Sequence, residues 1–231
     1  MASKSVPSRP LPRIYLALPA LDDPAPWLDS LPDLLKAADV AAVLVRLKPA
    51  DPRSMISRVK ALAPAIQGGG AALLLDGEAE LVARSGADGA HLTGLAAMQE
   101  SLPALKPDRI AGVGGLATRH DSMSAGEAEA DYVLFGEPNA DGERPSPEAI
   151  AERLQWWAEL FEPPCVGYVG SLAEVDAFVV AGADFILADD LVWSDPRGPN
   201  AALADIGRTI RTAFASAGGQ HRGDTGPAPA R

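Results

Sequence analysis

Several charged residues of this sequence follow short apolar runs, at points where strands would end. Arg46 and Lys48 follow the second run, and side-chain alternation along a strand would put both on one face. An arginine can hold a phosphate through two parallel hydrogen bonds, and a lysine adds a point charge. The pair predicts a phosphate or pyrophosphate site; the alternative is two solvated loop cations. Arg46 also requires an acidic partner or a ligand, because it is embedded in an otherwise apolar stretch.

Carboxylates follow two other runs. Asp76 ends the third run, where it would serve as a magnesium ligand, as a counter-ion to Arg46 or as the N-cap of the next helix. Asp189 and Asp190 end the eighth run, where barrel enzymes usually hold a phosphate. Two acids at that point would repel an anion unless Arg197 or a metal ion offset their charge.

Two histidines are candidates for proton transfer. His91 lies in the fourth run, where it is either a ligand or general base, or a buried and hydrogen-bonded side chain. The fifth run continues into GVGGLATRH, whose glycines, including Gly114, would let the backbone approach a substrate. His120 ends this stretch and is the candidate base, with a place on the surface of a short helix as the alternative.

Two further groups of candidate residues lie in predicted loops. The polar loop 135–146 has the length of a lid, or it forms a plain turn at Asp141-Gly142. Ser171 and Glu174, just after Gly170, form an S-x-x-E capping box. The free amides of that helix start would also suit a phosphate.

All these residues require a fold that brings strand ends together. Eight apolar runs alternate with segments of helical spacing, which is typical of a parallel sheet with crossover helices. The pattern predicts an α/β fold, a closed parallel (β/α)8 TIM barrel with its functional residues at the carboxyl ends of the strands. The runs are 14–18, 40–47, 71–75, 89–92, 110–113, 132–136, 166–169 and 185–188, and helical spacing is clearest at 27–38, 52–66, 78–85, 147–161, 172–181 and 200–215.

An Ala-Asp pair precedes each even-numbered run, at residues 38–39, 87–88, 130–131 and 183–184. At such a point a helix stops at a residue that tolerates the left-handed conformation, such as Gly86 or Gly182, and a short polar residue turns the chain into the sheet. The repeat predicts a structural role at the amino-terminal end of the barrel.

The chain has 231 residues and 47% hydrophobic content, enough to bury the core of one large α/β domain. We expect one barrel over 13–217, a flexible arm over 1–12 and a disordered tail over 218–231, because both ends are rich in proline, glycine and polar residues. Cys165 is the single cysteine, which excludes a disulfide within the chain and a cysteine zinc site, and we expect it to be buried.

The formal net charge of −11 argues against nucleic acids and anionic membrane surfaces as partners. No apolar run reaches the roughly 18 residues of a membrane helix, and the first residues do not resemble a signal peptide. We therefore expect a cytoplasmic protein with a small-molecule ligand, and a homo-oligomer stays open.

The order of these motifs resembles thiamine phosphate synthase and its TenI-type relatives over residues 14–193. GADGAHL is the most specific match, because the family has G-A-D-G-V-H-L-G-Q at its fourth strand; VLVRLK, EADYVLFG and VAGADFILADD occur in the same order. The resemblance implies a barrel that joins a pyrimidine pyrophosphate to a thiazole phosphate and releases pyrophosphate with the help of Mg²⁺. Cations and a metal at the barrel mouth would stabilise the departing pyrophosphate.

The first half of the family pattern is matched in part. Its Q-L-R-E-K motif corresponds to residues 44–48, so Arg46 and Lys48 match and Leu44 replaces the glutamine that reads the pyrimidine. Its Asn-Asp motif falls on Asp76-Gly77, and its second metal-binding aspartate falls near Ala96.

The second half departs further. The serine of the family's V-S-T-H is Gly114, and His120 takes the place of the histidine if a gap is allowed. The lysine of T-P-T-K has no counterpart in EPNADGERPS. The glycine pair after strand seven is reduced to Gly170, and the phosphate-binding V-S is Asp189-Asp190.

The resemblance thus implies a thiamine-phosphate-synthase-like protein with fewer phosphate and Mg²⁺ ligands. The alternative is a family member that is not a synthase, tautomerase-like or catalytically inactive, which binds a neutral or cationic molecule at a rim containing Asp76, Glu137, Asp189 and Asp190. The implied roles are catalysis for His120, metal binding for Asp76, and substrate or phosphate binding for Arg46, Lys48, Gly114, Gly170, Asp189 and Asp190.

Overall fold

The eight apolar runs of the sequence form eight short parallel β-strands. The computed structural model describes residues 9–220. Every predicted run overlaps a strand; the largest difference is in the second, which ends at Val45 instead of residue 47. The strands are β1 (Arg13–Ala17), β2 (Val40–Val45), β3 (Ala72–Asp76), β4 (Gly89–Thr93), β5 (Ile110–Gly114), β6 (Tyr132–Phe135), β7 (Cys165–Val169) and β8 (Phe185–Ala188).

Helices connect these strands and include the six segments of clear helical spacing. Three further helices are short or weakly amphipathic; the first turn of RHDSMSAGE, for example, depends on a capping box between Thr118 and Asp121. The helices are α1 (Ala25–Ala37), α2 (Pro52–Gln67), α3 (Ala79–Ser85), α4 (Leu95–Leu105), α5 (Arg119–Glu127), α6 (Pro147–Leu160), α7 (Leu172–Ala181), α8 (Asp190–Trp193) and α9 (Pro199–Gln220).

The sheet closes on itself. Each strand pairs in parallel with the next, and β1 pairs with β8 through the register Arg13↔Phe185 to Leu16↔Ala188. This closure confirms the predicted (β/α)8 barrel. It brings the carboxyl ends of all eight strands to one mouth.

Side chains that alternate along the strands fill the barrel interior. Three of them are tyrosines, at positions 15, 132 and 168, and the others are small or aliphatic. A larger apolar layer, which includes the fully buried Trp157, lies between the strands and the helices. The interior cluster consists of Tyr15, Ala17, Leu44, Leu74, Tyr132, Leu134, Val166, Tyr168 and Leu187.

The repeated Ala-Asp pairs have the expected structural role. The carboxylates of Asp88, Asp131 and Asp184 each accept a hydrogen bond from a backbone N–H at the start of the preceding odd-numbered strand, at 2.7, 2.7 and 2.9 Å. The fourth member, Asp39, instead accepts from the Nε of Arg13 at 2.8 Å. The repeat therefore anchors one strand to the turn that begins the next.

The predicted arm and tail lie largely outside the described residues. Within the arm, Arg9 donates to the carbonyl oxygens of Val179 and Ala183 and lies 3.6 Å from a carboxylate oxygen of Asp184. At the other end, α9 extends to Gln220, past the predicted boundary at 217. Among the described residues, no helix combines the length and the apolar character that crossing a bilayer requires.

Candidate functional site

The charged residues of the barrel mouth continue the interior alternation of the strands. Arg46, Asp76 and Asp189 each lie two residues beyond an interior leucine, at positions 44, 74 and 187. Their side chains therefore lie above the apolar filling of the barrel. The structure brings these three predicted residues together.

Arg46 contacts both acids. Its Nη1 donates to Oδ2 of Asp189 at 2.6 Å, and its Nε lies 3.3 Å from Oδ2 of Asp76. The Asp189 side chain is 11% exposed, and those of Arg46 and Asp76 are 28% and 35% exposed. Arg46 thus has two acidic partners, where the sequence predicted that it needs an acidic partner or a ligand.

Burial and neighbouring charges change the ionisation of this cluster. Burial, together with the adjacent Asp190 carboxylate, raises the pKa of Asp189 in spite of the opposing effect of Arg46. Burial also disfavours the charge on Arg46, but Asp189 and Asp76 leave its pKa raised overall. Burial, and then Asp189 and Asp190, raise the pKa of Tyr168 to about 12. Tyr168 is therefore a neutral neighbour of the ion pairs.

A chain of hydrogen bonds crosses the barrel beside this cluster. The hydroxyl oxygens of Tyr15 and Tyr132 are 3.0 Å apart, and that of Tyr132 is 2.9 Å from Nδ1 of His91. Nε2 of His91 lies 3.1 Å from Oε1 of Glu137, in the loop after β6. Burial raises the pKa of both tyrosines, which keeps them protonated donors.

One tautomer satisfies every bond of this chain. When Nε2 carries the proton, His91 donates to Glu137 and accepts from Tyr132, which in turn accepts from Tyr15. His91 is 1% exposed, so it cannot touch a ligand directly. Of the two possibilities for His91, the structure favours the buried, hydrogen-bonded residue. The chain ends at Glu137, whose side chain is 18% exposed.

Gly114 makes room for Glu137. A Cβ atom at position 114 would lie 1.8 Å from Oε2 of Glu137 and 3.0 Å from Nε2 of His91. That oxygen is buried and, among the described residues, has no hydrogen-bond partner. The carboxylate therefore occupies the space that a side chain on β5 would fill.

A cavity of about 620 Å³ opens next to Glu137, between the loops after β5 and β6 and the first turns of α6. Its volume is within the range of small-molecule sites. Its wall is mainly apolar, with Phe135 and Ile150, and includes two arginines. One of them, Arg153, donates to the carbonyl oxygens of Leu116 and Ala117 at 3.2 Å each and so fixes the loop after β5.

The loop after β6 is held by Arg144. Its Nη2 lies 2.8 Å from Oε2 of Glu174 and 2.8 Å from the carbonyl oxygen of Tyr168. The guanidinium also lies over the Tyr168 ring, 5.2 Å from its centroid. Within the loop, Oδ1 of Asn139 accepts from the backbone N–H groups of Asp141 and Glu143. This region is a turn tied to β7.

The helix start after β7 is also occupied by protein groups. The Ser171 hydroxyl accepts from the Glu174 backbone N–H at 3.2 Å, as the capping motif predicts. The Glu174 carboxylate accepts from the Gly170 N–H at 3.0 Å, one residue before the position of a regular capping box. Glu174 thus takes an amide that a phosphate would use.

Other predicted residues lie apart from the Arg46 cluster. Lys48 is exposed and lies 3.3 Å from Asp22, a residue of the loop after β1, because β2 ends at Val45 and the following residues run beside that loop. His120 is exposed in the first turn of α5. Asp190, by contrast, adjoins the cluster through Asp189 and is exposed at the first residue of α8.

Arg197 does not offset the acids after β8. It lies 2.6 Å from Asp195 and 2.9 Å from Asp205, on the surface. The side chain that offsets Asp189 is Arg46, from the opposite side of β1. Spacing along the chain favoured the near arginine, whereas barrel closure brings in the distant one.

The side chains of the mouth do not fit Mg²⁺ as they stand. In the described range 9–220, no three His, Cys, Asp or Glu side chains are grouped so that they could hold a metal ion. Asp76 and Asp189 already contact Arg46, whereas Mg²⁺ needs free oxygen ligands at roughly 2.0–2.1 Å.

Sequence reasoning overlooked Tyr15, Tyr132 and Arg144. Both tyrosines are at interior positions of their strands, and a buried tyrosine hydroxyl requires a partner, so periodicity combined with residue type would have indicated a polar chain. Arg144 left no such signal, because its two more distant partners, the Tyr168 carbonyl of β7 and the Glu174 carboxylate of α7, lie 24 and 30 positions further along the chain.

Comparison with known proteins gives a consistent result. Residues 14–188 match the TMP-TENI family model, described as thiamine monophosphate synthase. The chain is 38% identical to the thiamine-phosphate synthase of Rhodospirillum centenum over 207 residues, covering 86% of this chain and 98% of that protein. It is 35% identical to the thiamine-phosphate synthase of Hyphomonas neptunium, covering 84% and 92%.

A solved structure has the same fold. Thiamine phosphate pyrophosphorylase from Pyrococcus furiosus superposes with a TM-score of 0.70 at 19% identity, over 87% of this chain and 96% of that chain. At this identity the likeness concerns the barrel alone.

Proposed function

This chain belongs to the thiamine monophosphate synthase family, and from that premise we propose that it acts in thiamine biosynthesis as a synthase-type transferase. The reaction would join a pyrimidine pyrophosphate to a thiazole phosphate. The observation that carries the proposal is the 38% identity to a thiamine-phosphate synthase along 98% of that protein, so the likeness extends over nearly the whole of that protein.

The mouth offers a cation for such a reaction. The guanidinium of Arg46 has five N–H donors, and its contacts with the described residues engage Nε and Nη1. The remaining donors can hydrogen-bond to a phosphate oxygen and stabilise the charge on departing pyrophosphate. We further propose that the substrate site is lined by Lys48, Gly114 and Gly170 and that His120 acts as the base.

The test is formation of thiamine phosphate by the purified protein from the two substrates, measured with and without added Mg²⁺. We expect turnover that falls at least about tenfold in Arg46→Ala, the scale of one charged hydrogen bond. Lys60→Ala, an exposed cation on α2, is the matched control and should retain full activity. Absence of product under both conditions would exclude the synthase reaction.

His120 has its own test within this assay. If it is the base, His120→Ala loses about 100-fold or more in kcat, and the acidic limb of the pH profile disappears. An unchanged profile would assign His120 to the surface of α5 and leave the synthase proposal intact.

A second function is favoured by the charge of the mouth. Two carboxylates already offset Arg46, while Asp190 and Glu137 add further negative charge, which disfavours an anionic ligand. A family member that is not a synthase, tautomerase-like or without catalysis, would bind a neutral or cationic molecule there. The cavity beside Glu137 has the volume for it.

Calorimetry separates the two functions. The second predicts that cationic thiamine binds more tightly than thiamine phosphate, and that Glu137→Gln weakens thiamine at least about fivefold, the loss expected for one hydrogen bond to a charged acceptor. Tighter binding of thiamine phosphate by tenfold or more would exclude it.

Location and assembly belong to the proposal as well. We expect a cytoplasmic protein, supported by its relation to thiamine-phosphate synthases and by the enzyme role proposed here. Fractionation of source cells would test the location. Light scattering on a sizing column would establish whether the chain forms the homo-oligomer left open by its sequence.

A further inference from the structure

The Arg46 guanidinium contacts two carboxylates, Asp76 and Asp189, which are also the kind of side chain that binds a metal ion in proteins. The guanidinium lies between carboxylates from two directions, 2.6 Å from Asp189 beyond β8 and 3.3 Å from Asp76 at the end of β3. The strand that ends just before Arg46, β2, neighbours β3 on one side and is separated from β8 by β1 on the other. A single positive group therefore bridges acids across the barrel mouth.

The acids require this positive charge. Asp189 is only 11% exposed and has Asp190 next to it, so an unpaired carboxylate there would bear both desolvation and like-charge repulsion. A metal ion or a cationic side chain can compensate such a site. Here the compensating group is covalently part of the chain, and a guanidinium stays charged at every pH that a folded protein tolerates.

A divalent cation could enter only by displacing Arg46. The displaced guanidinium, 28% exposed, would lose both acidic partners, and breaking a largely buried ion pair is strongly unfavourable. The absence of any three-ligand acidic group in residues 9–220 also leaves an incoming ion without a second site.

We propose that the Arg46 side chain takes the place of a divalent cation at the barrel mouth, so that the wild-type protein binds its ligand without Mg²⁺, while removal of the side chain turns Asp76 and Asp189 into a divalent-cation site. This inference goes beyond the proposed function, because it concerns the charge of the mouth whatever reaction occurs there.

The test uses no substrate, so it is independent of the synthase assay. Mg²⁺ is titrated calorimetrically, and Mn²⁺ by electron paramagnetic resonance, into the wild type, Arg46→Ala, Lys48→Ala and the double variant Arg46→Ala/Asp189→Asn. We expect one bound ion in Arg46→Ala, at least about tenfold tighter than in the wild type. Lys48→Ala, which removes a cation paired with Asp22, should behave as the wild type, and the double variant should lose the new site.

A second variant, Arg46→Met, replaces the arginine with an uncharged side chain of more similar volume and serves if Arg46→Ala does not fold. If Arg46→Ala is unstable, 10 mM Mg²⁺ should still raise the Tm of Arg46→Met by about 2 to 4 °C and leave the wild-type Tm unchanged, because a ligand that binds only the folded state stabilises it.

Two results would overturn the inference. One is a stoichiometric Mg²⁺ site in the wild type that Asp76→Asn or Asp189→Asn removes. The other is an Arg46→Met variant that folds and binds the ions no better than the wild type or Lys48→Ala.

Discussion

The two acids that hold Arg46 differ in distance and burial. Asp189 makes the shorter contact, at 2.6 Å, and its side chain is 11% exposed, whereas Asp76 lies at 3.3 Å and is 35% exposed. Coulomb attraction is stronger at short range and in a less polar surrounding, and water screens exposed pairs. Asp189 is therefore the principal partner.

Asp189→Ala should accordingly cost more stability than Asp76→Ala. We expect a loss of about 1–3 kcal/mol for Asp189→Ala, because Arg46 keeps only its weaker partner. Asp76→Ala should cost less than about 1 kcal/mol. Urea denaturation of the three proteins measures the difference, and an equal or reversed order would show that the exposed pair dominates.

The thiol of Cys165 is protected by its position in the core. The residue is fully buried at the start of β7, and its thiol lies 3.6 Å from the carbonyl oxygen of Gly182. Burial, and then the nearby Asp184 carboxylate, raise its pKa to about 12. The expectation of a small buried cysteine agrees with this environment.

The native protein should therefore resist thiol reagents. With a pKa of about 12, only about one thiol in 10⁴ is ionised at pH 8, against about a quarter of free cysteine. We expect one equivalent of a chromogenic disulfide reagent to react in 6 M guanidinium chloride and almost none in buffer. Rapid labelling of the folded protein would contradict the buried position.

The same pKa shift has a pH dependence with a definite sign. Because folding raises the pKa of the Cys165 thiol, the unfolded chain loses this proton at a lower pH than the folded protein does. The stabilising contribution of the neutral, buried thiol is therefore present below about pH 8.5 and is lost as the pH rises toward 12. The free energy of unfolding relative to that of Cys165→Ala should fall between pH 8.5 and 10.

At the scale of elements, the repeated Ala-Asp pairs connect neighbouring strands. Three of the four carboxylates accept from a strand backbone N–H, which would otherwise lack a partner where the ladder begins. The fourth, Asp39, is 65% exposed and binds only the Arg13 side chain. The same Ala-Asp pair thus makes different contacts at different positions, and we expect its contribution to stability to differ accordingly.

This inequality supplies an internal control. Asp88→Ala should destabilise the protein by about 1–2 kcal/mol, since it leaves the Leu73 amide without its acceptor. Asp39→Ala should cost under about 0.5 kcal/mol, as is usual for an exposed ion pair. Thermal or urea denaturation of both variants measures these changes. Equal losses of stability would mean that the turn, and not the carboxylate, stabilises the protein at these positions.

For the whole molecule, the barrel interior is polar at its mouth and loosely filled at its base. A cavity of about 290 Å³ opens at the amino-terminal ends of the strands, lined in part by Ala42 and Ala72. Both are interior positions with small side chains, so the lowest layer of the barrel is incomplete. The apolar layer around the strands is, by contrast, densely buried.

Filling the base should stabilise the fold. Ala42→Val adds two methyl groups to this cavity and suits a strand, so we expect a gain of about 0.5–1 kcal/mol. The matched change Ala90→Val, at a fully buried position of β4, should cost about 1–3 kcal/mol through overpacking. Denaturation midpoints compare the two, and a loss at position 42 would show that the base is closed to added volume.

Particular residues show how far sequence reasoning reaches. The eight strands and the Ser171 cap were predictable, because side-chain period and helix caps are local properties. The need of Arg46 for an acid was predictable from its apolar neighbours. That its closer partner is Asp189, 143 positions along the chain, was not. The role of His120 in catalysis and the roles of Lys48 and Gly170 in substrate binding stay predictions.

The amino-acid sequence by itself determined the alternation of strands and helices, from which the barrel was predicted, and which residue types follow each strand, since strand and helix periodicity depends on interactions between near neighbours. Only the tertiary structure decided that Arg46 lies between Asp76 and Asp189, and that His91 joins Tyr132 to Glu137. The physical reason is closure. Pairing of β1 with β8 sets which strand ends face each other, and charges meet across distances along the chain that no local pattern encodes.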